Sequence, residues 1–440
     1  MFKPIIKASP VILFSLLFAV FPAFGDSKAR VVRLSDVQGA VEIDRNTGQG
    51  FEKAFLNLPI TEGMKIRTGD EGRAALEFED SSTLRLAPES KIEFQTLSLR
   101  DSGVKVSTVK LDEGTVYVNS QGMKDNELSV SFVRQSLALS KQAHLRITLG
   151  DAEASVAVFN GDVQVTGPAG TVDIAKNHTV RFDLAQDTYK LAKSIDEETF
   201  DNWDKQQSQY QQRYSDNTYA SYSPYAYGTS DLNYYGSWYS LPGYGQLWQP
   251  YFTGAGWDPY QNGSWTAFSG GYGWVSGYPW GWTPYNYGAW TFVSPYGWMW
   301  QPGGAWMGGY PVPIFYNPPV GFASPRTPIF PGPRVIHVNH GSSSILSSNS
   351  RIQIPQNSGG LGIPRGSVQN LSKISSLAEQ QGSATTRLHF EPVGTSSWWR
   401  GSGYNRLQGT SWGTRSASSG SISSGHVSGG HVSAGGGGHH

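Results

Sequence analysis

Between Asn217 and Ser324 the chain carries only two charged side chains, Asp231 and Asp258, in a region dense in large aromatic rings. Of the fifteen Trp residues in the sequence, eleven lie between Ser237 and Trp306. Rings packed this densely without charge are either buried against one another or held out for a ligand, because contiguous exposed apolar surface is rare without a role. The stretch also repeats itself. Trp257, Pro259, Tyr260, Gly263 and Trp265 recur as Trp282, Pro284, Tyr285, Gly288 and Trp290, at a constant offset of 25 residues.

A repeated Trp-x-Pro-Tyr-x-x-Gly-x-Trp skeleton predicts small stacked β units. Each reads as a short strand such as "YGWVSG" or "YGWMWQP", a Pro-Tyr turn, and a second strand such as "GSWTAF" or "GAWTFV". Gly supplies positive φ at turns, and Pro is barred from a central ladder because it has no N–H to donate. A unit this small closes no core alone, so neighbours must stack. The spacing predicts Trp257, Trp265, Trp282 and Trp290 as repeat core, with the two Trp residues of a unit facing each other as a cross-strand pair. The competing reading makes Tyr260, Trp280, Tyr285 and Trp298 an exposed stacking surface for sugar rings. Nucleic acid does not fit, because the region has no Lys or Arg to hold phosphates.

Upstream, from Arg30, the pattern alternates with period two, as half-buried strands do. Val41 and Ile43 fall opposite Glu42 and Asp44, and Ala74, Leu76 and Phe78 alternate in "GRAALEFED". Further strands read as "STLRLAPESKIEF", "GTVYVN", "ELSVSFV", "HLRITLG", "ASVAVFNGDVQVTG" and "HTVRFDL", with Asn160-Gly161 as the strongest hairpin signal. So many short strands predict a mainly β solenoid, roll or sandwich over residues 30–190. On this reading Glu77 and Glu79 share a solvated strand face, and His144 and His178 are isolated surface residues. The acidic turns read as solvated, without the dense Asp spacing of a calcium loop.

The strings "DVQGAVEI", "LNLPITEGMKIRTGDEGRAALEFEDSSTLRLAPESKIEF", "LDEGTVYV" and "VFNGDVQV" resemble, in order, the FecR-type domain. Thr68-Gly69 followed by Arg73-Ala74 is the most specific part of that resemblance. Two positions depart from it: "SKQAHLRI" stands where the family commonly has a Gly-Thr pair, and Lys176-Asn177 where Gly is common ahead of the final strand. The resemblance implies an exported interaction domain. Its best known members are periplasmic sensors that signal through a membrane helix to a sigma factor, and no such internal helix is legible here. The aromatic units, with "WMWQPG", resemble an uncharacterised aromatic-repeat family that often follows FecR-type domains in exported bacterial proteins.

The first residues place Lys3 and Lys7 before an apolar run from Val11 to Phe21 and then Ala23-Phe24-Gly25, which predicts a signal peptide over 1–25. Residues 194–236 predict a short helix opened by Ser194 or Asp196 and then a Tyr, Ser and Gly linker. The aromatic repeat domain is expected over 237–310. Residues 311–440 read as a Pro-rich stretch and then a disordered tail beginning near His340, because apolar residues are too sparse to offset chain entropy. His426 and His431, in two copies of "GHVS", are a weak metal possibility. Cysteine is absent, which excludes disulfides and thiolate chemistry. No nucleophile–base, HExxH or phosphate-loop pattern occurs, so no enzyme and no cofactor are expected. The expectation is therefore an exported, non-enzymatic, periplasmic or extracellular protein whose partner is an envelope protein or a cell-wall polysaccharide, without a transmembrane span after signal cleavage. An alternative is a periplasmic sensor acting through a separate membrane partner.

Overall fold

The computed structural model describes residues 30–215, 227–254, 256–268, 271–303 and 351–389. The signal-peptide segment, His426 and His431 lie outside them. Seventeen strands between Val32 and Ala192 build two facing sheets. One sheet runs, in spatial order, through Pro59–Ile60, Val32–Gln38, Arg73–Glu77, Thr83–Leu86, the second half of Lys105–Ser120, Ala143–Leu149, Glu153–Asn160, His178–Asp183 and Thr188–Ala192. The other runs through Phe51–Lys53, Val41–Asp44, Lys65–Thr68, Lys91–Leu99, the first half of Lys105–Ser120, Asn126–Phe132, Gln135–Leu139, Val163–Gly167 and Gly170–Ile174. All neighbours are antiparallel except Lys105–Ser120 with Asn126–Phe132. The shared strand changes sheet at Gly114 (φ +83°), where a Cβ would lie 2.3 Å from the Glu89 carbonyl oxygen. Only glycine fits that corner.

The alternation read from the sequence is the inward face of each sheet. Leu86, Val116, Ile147, Val156 and Val180 form one cross-strand row, facing Ile66, Ile92, Val109, Val130 and Val165 in the same buried core. The Thr68-Gly69 signature is a corner lock. The Thr68 hydroxyl donates to the Ala87 carbonyl (2.7 Å) and accepts the Ser90 N–H (2.9 Å), while Gly72 lies so close to Ala40 that a Cβ would meet its carbonyl at 2.0 Å. Asn177, in the position where glycine was expected, adopts φ +62° and donates its N–H to the Val158 carbonyl. Asn tolerates the left-handed region better than most residues, so the turn survives the replacement.

The outward face of the first sheet is covered rather than solvated. Helix Asp201–Arg213, which starts later than Ser194 or Asp196, lies across the outward row Arg85, Tyr117 and Arg146. Asp204 pairs with Arg85 at 2.6 Å, and Asp201 with Arg146 at 2.5 Å and the Tyr117 hydroxyl at 2.8 Å. Ser208 and Gln211, on later turns of the same helix face, also contact Arg85. Trp203 packs on Tyr117 and Ala87. Two expectations are corrected here. Glu77 and Glu79 are buried and paired with Arg33 (2.9 Å) and Arg30 (2.6 Å), and His144 is no isolated surface residue, since its Nε2 lies 2.6 Å from the Asp204 carboxylate. Outward strand positions look alike in sequence whether water or another part of the chain covers them.

The aromatic region forms three hairpins: Gly236–Leu241 with Gly245–Pro250, Gly263–Phe268 with Gly271–Ser276, and Ala289–Val293 with Gly297–Gln301. The first and third join through Trp248 opposite Trp300 into a four-stranded sheet. They are related by a local pseudo-twofold: Gln249 donates to the Tyr296 carbonyl and Gln301 to the Tyr244 carbonyl, equivalent contacts in opposite directions. The predicted strands exist, but their partners differ from expectation. Each "G-x-W" strand pairs with the strand that follows it, so the cross-strand pairs are Trp238–Trp248, Trp265–Trp274 and Trp290–Trp300. The Pro-Tyr segment Thr283–Asn286 is a single helical turn instead of a hairpin bend. The opening glycine has a packing reason in all three hairpins: a Cβ on Gly236, Gly263 or Gly288 would lie 2.4, 2.5 or 2.7 Å from the indole of Trp248, Trp274 or Trp300.

The tail expectation fails for residues 351–389. Strands Arg351–Pro355 and Ser383–Arg387 form a hairpin around helix Leu371–Gln381, and Ile352, Ile354, Ile363, Val368, Leu371 and Ala378 pack into the aromatic core. Sparse apolar residues suffice here because the rings supply the other wall. The proposed disorder beyond Leu388 and His389 concerns residues outside those described.

The Asp204 pair makes a pH prediction. Burial would raise this carboxyl, but Arg85 and His144 outweigh it and hold the group below its usual 3.8. A folded-state pKa below the unfolded value contributes stability above pH 4 that is lost as pH falls through the folded value. Asp204→Asn is expected to destabilise the chain at neutral pH and to flatten the acid limb of stability. Urea midpoints of both proteins between pH 3 and 7 check this, and parallel acid limbs would contradict it.

Candidate functional site

The strongest concentration of buried polar chemistry lies where three distant segments meet. Arg33, fully buried on an outward strand position, reaches Glu77 (2.9 Å), Asp231 (2.8 Å), Asn57 Oδ1 (3.0 Å) and the Pro279 carbonyl (2.8 Å). Asp231 also accepts from Arg365 (2.5 Å) and the Tyr210 hydroxyl (2.9 Å). Asn57 donates to the Ser276 and Tyr278 carbonyls, and the Gly228 N–H donates to Glu77. Burial, opposed by Arg33, pushes the Glu77 carboxyl above its usual range, and burial likewise raises the Tyr210 phenol. Burial would lower Arg365, but Asp231, Tyr210, Asp36 and Glu77 together outweigh it and hold the group above its ordinary value.

This constellation joins segments. The carboxylates of Glu77 and Asp231 are both engaged by guanidinium groups, so neither is a free base. The cavity beside them, lined by Thr83, Arg85, Glu77, Tyr210, Asp231 and Arg365, measures about 30 Å³. That is about the room of a single ordered water. Among the described residues, no three His, Asp or Glu side chains gather in a metal-binding arrangement.

The predicted stacking residues separate. Trp280 is fully buried and is the hub of the core, with ring contacts to Trp248 (4.9 Å), Tyr278 (4.7 Å, stacked), Tyr285 (5.9 Å, stacked), Trp290 (5.8 Å) and Trp257 (6.2 Å). Tyr285 is buried too, with its hydroxyl on the Pro259 carbonyl. Neither has a ring face for a ligand. Trp298 is half-buried against Phe292, and Tyr260 stands 51% exposed. Among the four proposed core residues, Trp257 joins the main cluster, Trp282 packs separately with Tyr227 and Val31, and Trp290 and Trp265 are half-buried. Trp274, which the sequence reading placed in the strand "YGWVSG" without a core or stacking role, lies 5.6 Å from Trp265 and 5.5 Å from Tyr260. The sequence reading also missed Trp248 and Trp300 as core. The signal that marks all three is the "G-x-W" strand preceding each of them.

Three buried indoles of the aromatic core donate to backbone carbonyls, whereas the Nε1 groups of buried Trp203 and Trp282 meet no acceptor among the described residues. Trp248 donates to the Leu232 carbonyl (2.9 Å), Trp300 to that of Tyr287 (2.7 Å), and Trp280 to that of Gly359 (2.7 Å). The last acceptor comes from the C-terminal segment, which also takes hydrogen bonds from Tyr235 at Ile363 (2.6 Å) and Tyr234 at Val368 (3.0 Å).

These features define a class: a two-sheet β body fixed through a buried ionic junction to an aromatic hairpin module. The comparisons agree with both halves. Residues 64–164 match the family described as FecR protein, and residues 229–318 match a family of unknown function, DUF6600. No curated protein matches the chain. Two crystal structures, at 1.65 and 2.50 Å, of an anti-sigma factor candidate from Parabacteroides distasonis are similar at 14% identity and a TM-score of 0.27. Each alignment covers 30% of this chain and 59% of that chain, so the match spans less than two thirds of the relative.

Two predictions follow from burial. Asp231→Asn leaves Arg33 and Arg365 short of a counter-charge, and removing one partner of a buried pair costs about 3 to 5 kcal/mol. Denaturant unfolding is expected to show that loss, and a midpoint equal to wild type would refute the junction. Within the rings, Trp280→Ala is expected to cost about 3 to 5 kcal/mol, half-buried Trp290→Ala less, and exposed Tyr260→Ala only about 0.5 kcal/mol or less. The same titrations rank the three variants, and a Tyr260→Ala loss as large as that of Trp280→Ala would contradict the placement.

Proposed function

We propose that this chain is a non-enzymatic sensor or regulatory interaction protein of the bacterial envelope or extracellular space, acting by docking a protein partner. The observation that carries this reading is the match of residues 64–164 to the FecR protein family on a β body whose first outward face is already taken by the chain's own helix and aromatic module. The second sheet's outward face remains for a partner. It presents the cross-strand row Lys65, Glu93, Lys110, Ser131, Ser136, Thr166 and Thr171. This row is short, polar and mixed in charge, as the rim of a transient interface is.

Among the described residues no helix is long and apolar enough to cross a membrane. The reading assigns a transmembrane step to a separate membrane partner. Export belongs to the same proposal and rests on the two lysines, apolar run and Ala23-Phe24-Gly25 at the N-terminus.

A photo-crosslinking amino acid at Ser136 or Thr166, introduced in the native host, is expected to trap one defined envelope protein, whereas the same group at exposed Asp151 is not. N-terminal sequencing of the recovered chain is expected to begin at Asp26. Retention of Met1, or absence of any adduct together with an unchanged transcriptome on gene deletion, would sink the proposal.

A further inference from the structure

The aromatic module carries one repeat position with two fates. Tyr260 and Tyr285 stand 25 residues apart at equivalent places, yet Tyr285 is buried and Tyr260 is 51% exposed. The fold therefore does not require this ring to be exposed. Around Tyr260 the sequence also departs from its repeat: Asp258 and Gln261 replace Thr283 and Asn286. Asp258 is the second of the two charges in the region, and unlike Asp231 it is exposed.

The rings around Tyr260 form a short series at the surface. Tyr260 packs edge to face on Trp274 (5.5 Å, 67°), and Trp274 on Trp265 (5.6 Å, 72°), so three rings follow one another along the surface. Trp265 and Trp274 are half-buried, which leaves part of each ring accessible. Asp258 Oδ1 accepts the Tyr260 N–H at 2.7 Å, and Gln261 Oε1 accepts the Asp258 N–H at 3.0 Å. Those bonds pin both side chains. They leave Asp258 Oδ2 as an acceptor and Gln261 Nε2 as a donor, neither with a partner among the described residues.

We propose that Tyr260, Trp274 and Trp265, flanked by Asp258 and Gln261, form a binding site for a chain of uncharged or N-acetylated β-linked sugars. Pyranose C–H groups are weakly positive and pack on the negative face of an aromatic ring, while hydroxyl groups both donate and accept. The exposed Tyr260 ring, with the steeply inclined, partly accessible indoles of Trp274 and Trp265 beside it and one fixed acceptor and one fixed donor at its flank, suits that ligand. Polyanions do not suit it, because the region from Asn217 to Ser324 contains no Lys or Arg. A hydrophobic protein partner would leave Asp258 desolvated without a counter-charge, which is costly. The second exposed aromatic patch, Phe292 (59% exposed) with Trp298, has no such carboxylate and serves as the internal control.

The test uses the full chain and two probes, the β-1,4-linked tetramer of N-acetylglucosamine and cellotetraose, by isothermal titration with tryptophan fluorescence as a second readout. Wild type is expected to bind at least one of them. Tyr260→Ala is expected to weaken that binding about tenfold or more, a loss of about 1.4 kcal/mol. Asp258→Asn is expected to weaken it less, and Phe292→Ala to leave it unchanged. Circular dichroism and urea midpoints verify that the variants fold. Binding of neither tetramer at millimolar concentration overturns the proposal. So does equal affinity of wild type and Tyr260→Ala, or an equal loss in Phe292→Ala. None of these outcomes touches the crosslinking result, so the glycan site and the regulatory reading fail independently.

Discussion

A fully buried guanidinium must be neutralised where it stands, and Arg33 sets that requirement for the whole molecule. Its partners come from a neighbouring strand (Glu77), the aromatic module (Asp231), and, through Asp231, the C-terminal segment (Arg365). Moving any one of these segments away strands a charge in low dielectric, a loss comparable with much of the stability of an ordinary domain. The two-sheet body, the hairpins and residues 351–389 are therefore joined through one buried ionic cluster, although the two family matches cover only residues 64–164 and 229–318 separately. Such junctions stabilise less than well-packed apolar contacts do, but they discriminate sharply between one docking geometry and all others.

The same logic extends along the first sheet. Arg85, Tyr117 and Arg146 occupy successive outward positions in one cross-strand row, and helix Asp201–Arg213 answers them with Asp204 and Asp201. Burial and the adjacent Asp201 raise the Tyr117 phenol, so it stays a neutral donor to that carboxylate. The consequence for function is directional. One outward face is spent on holding the chain's own segments, and the opposite face, rich in Ser and Thr, is what the body has left to offer.

The inward alternation, the Thr68-Gly69 corner and the existence of the aromatic strands were legible, because each is a local pattern enforced by local geometry. What depended on long-range contacts was not. Glu77 reads as a solvated acid because a strand's outward positions are polar under water and equally polar under an ionic lid. The hairpin partners were misjudged because a 25-residue offset fixes what repeats but not which strand pairs with which. The C-terminal segment read as tail because Ile352, Ile354, Leu371 and Ala378 are too few for a core of their own; they need only complete one that Trp248, Trp280 and Trp300 have begun. The period-two "RIQIP" and the i, i+3, i+7 spacing of Leu371, Ile374 and Ala378 were present, but sparse signals gain weight only when a partner surface is known.

The rings themselves explain why the module needs that third segment. An aliphatic core is satisfied once it is dry, whereas a buried indole or phenol still carries a hydrogen-bond donor whose loss of water is costly unless an acceptor meets it. Trp280 finds its acceptor at Gly359, Tyr235 at Ile363 and Tyr234 at Val368, all in the C-terminal segment. Gly359, at φ +56°, can approach because a Cβ there would lie 2.6 Å from the Tyr278 ring. A charge placed anywhere within this packing would need its own buried counter-ion, and only Asp231 has one. Among the described residues 227–254, 256–268 and 271–303, the scarcity of charge accords with this enclosure of the rings. It also explains why Asp258, the one charge without a counter-ion, stands at the surface beside the one repeat tyrosine that is left uncovered.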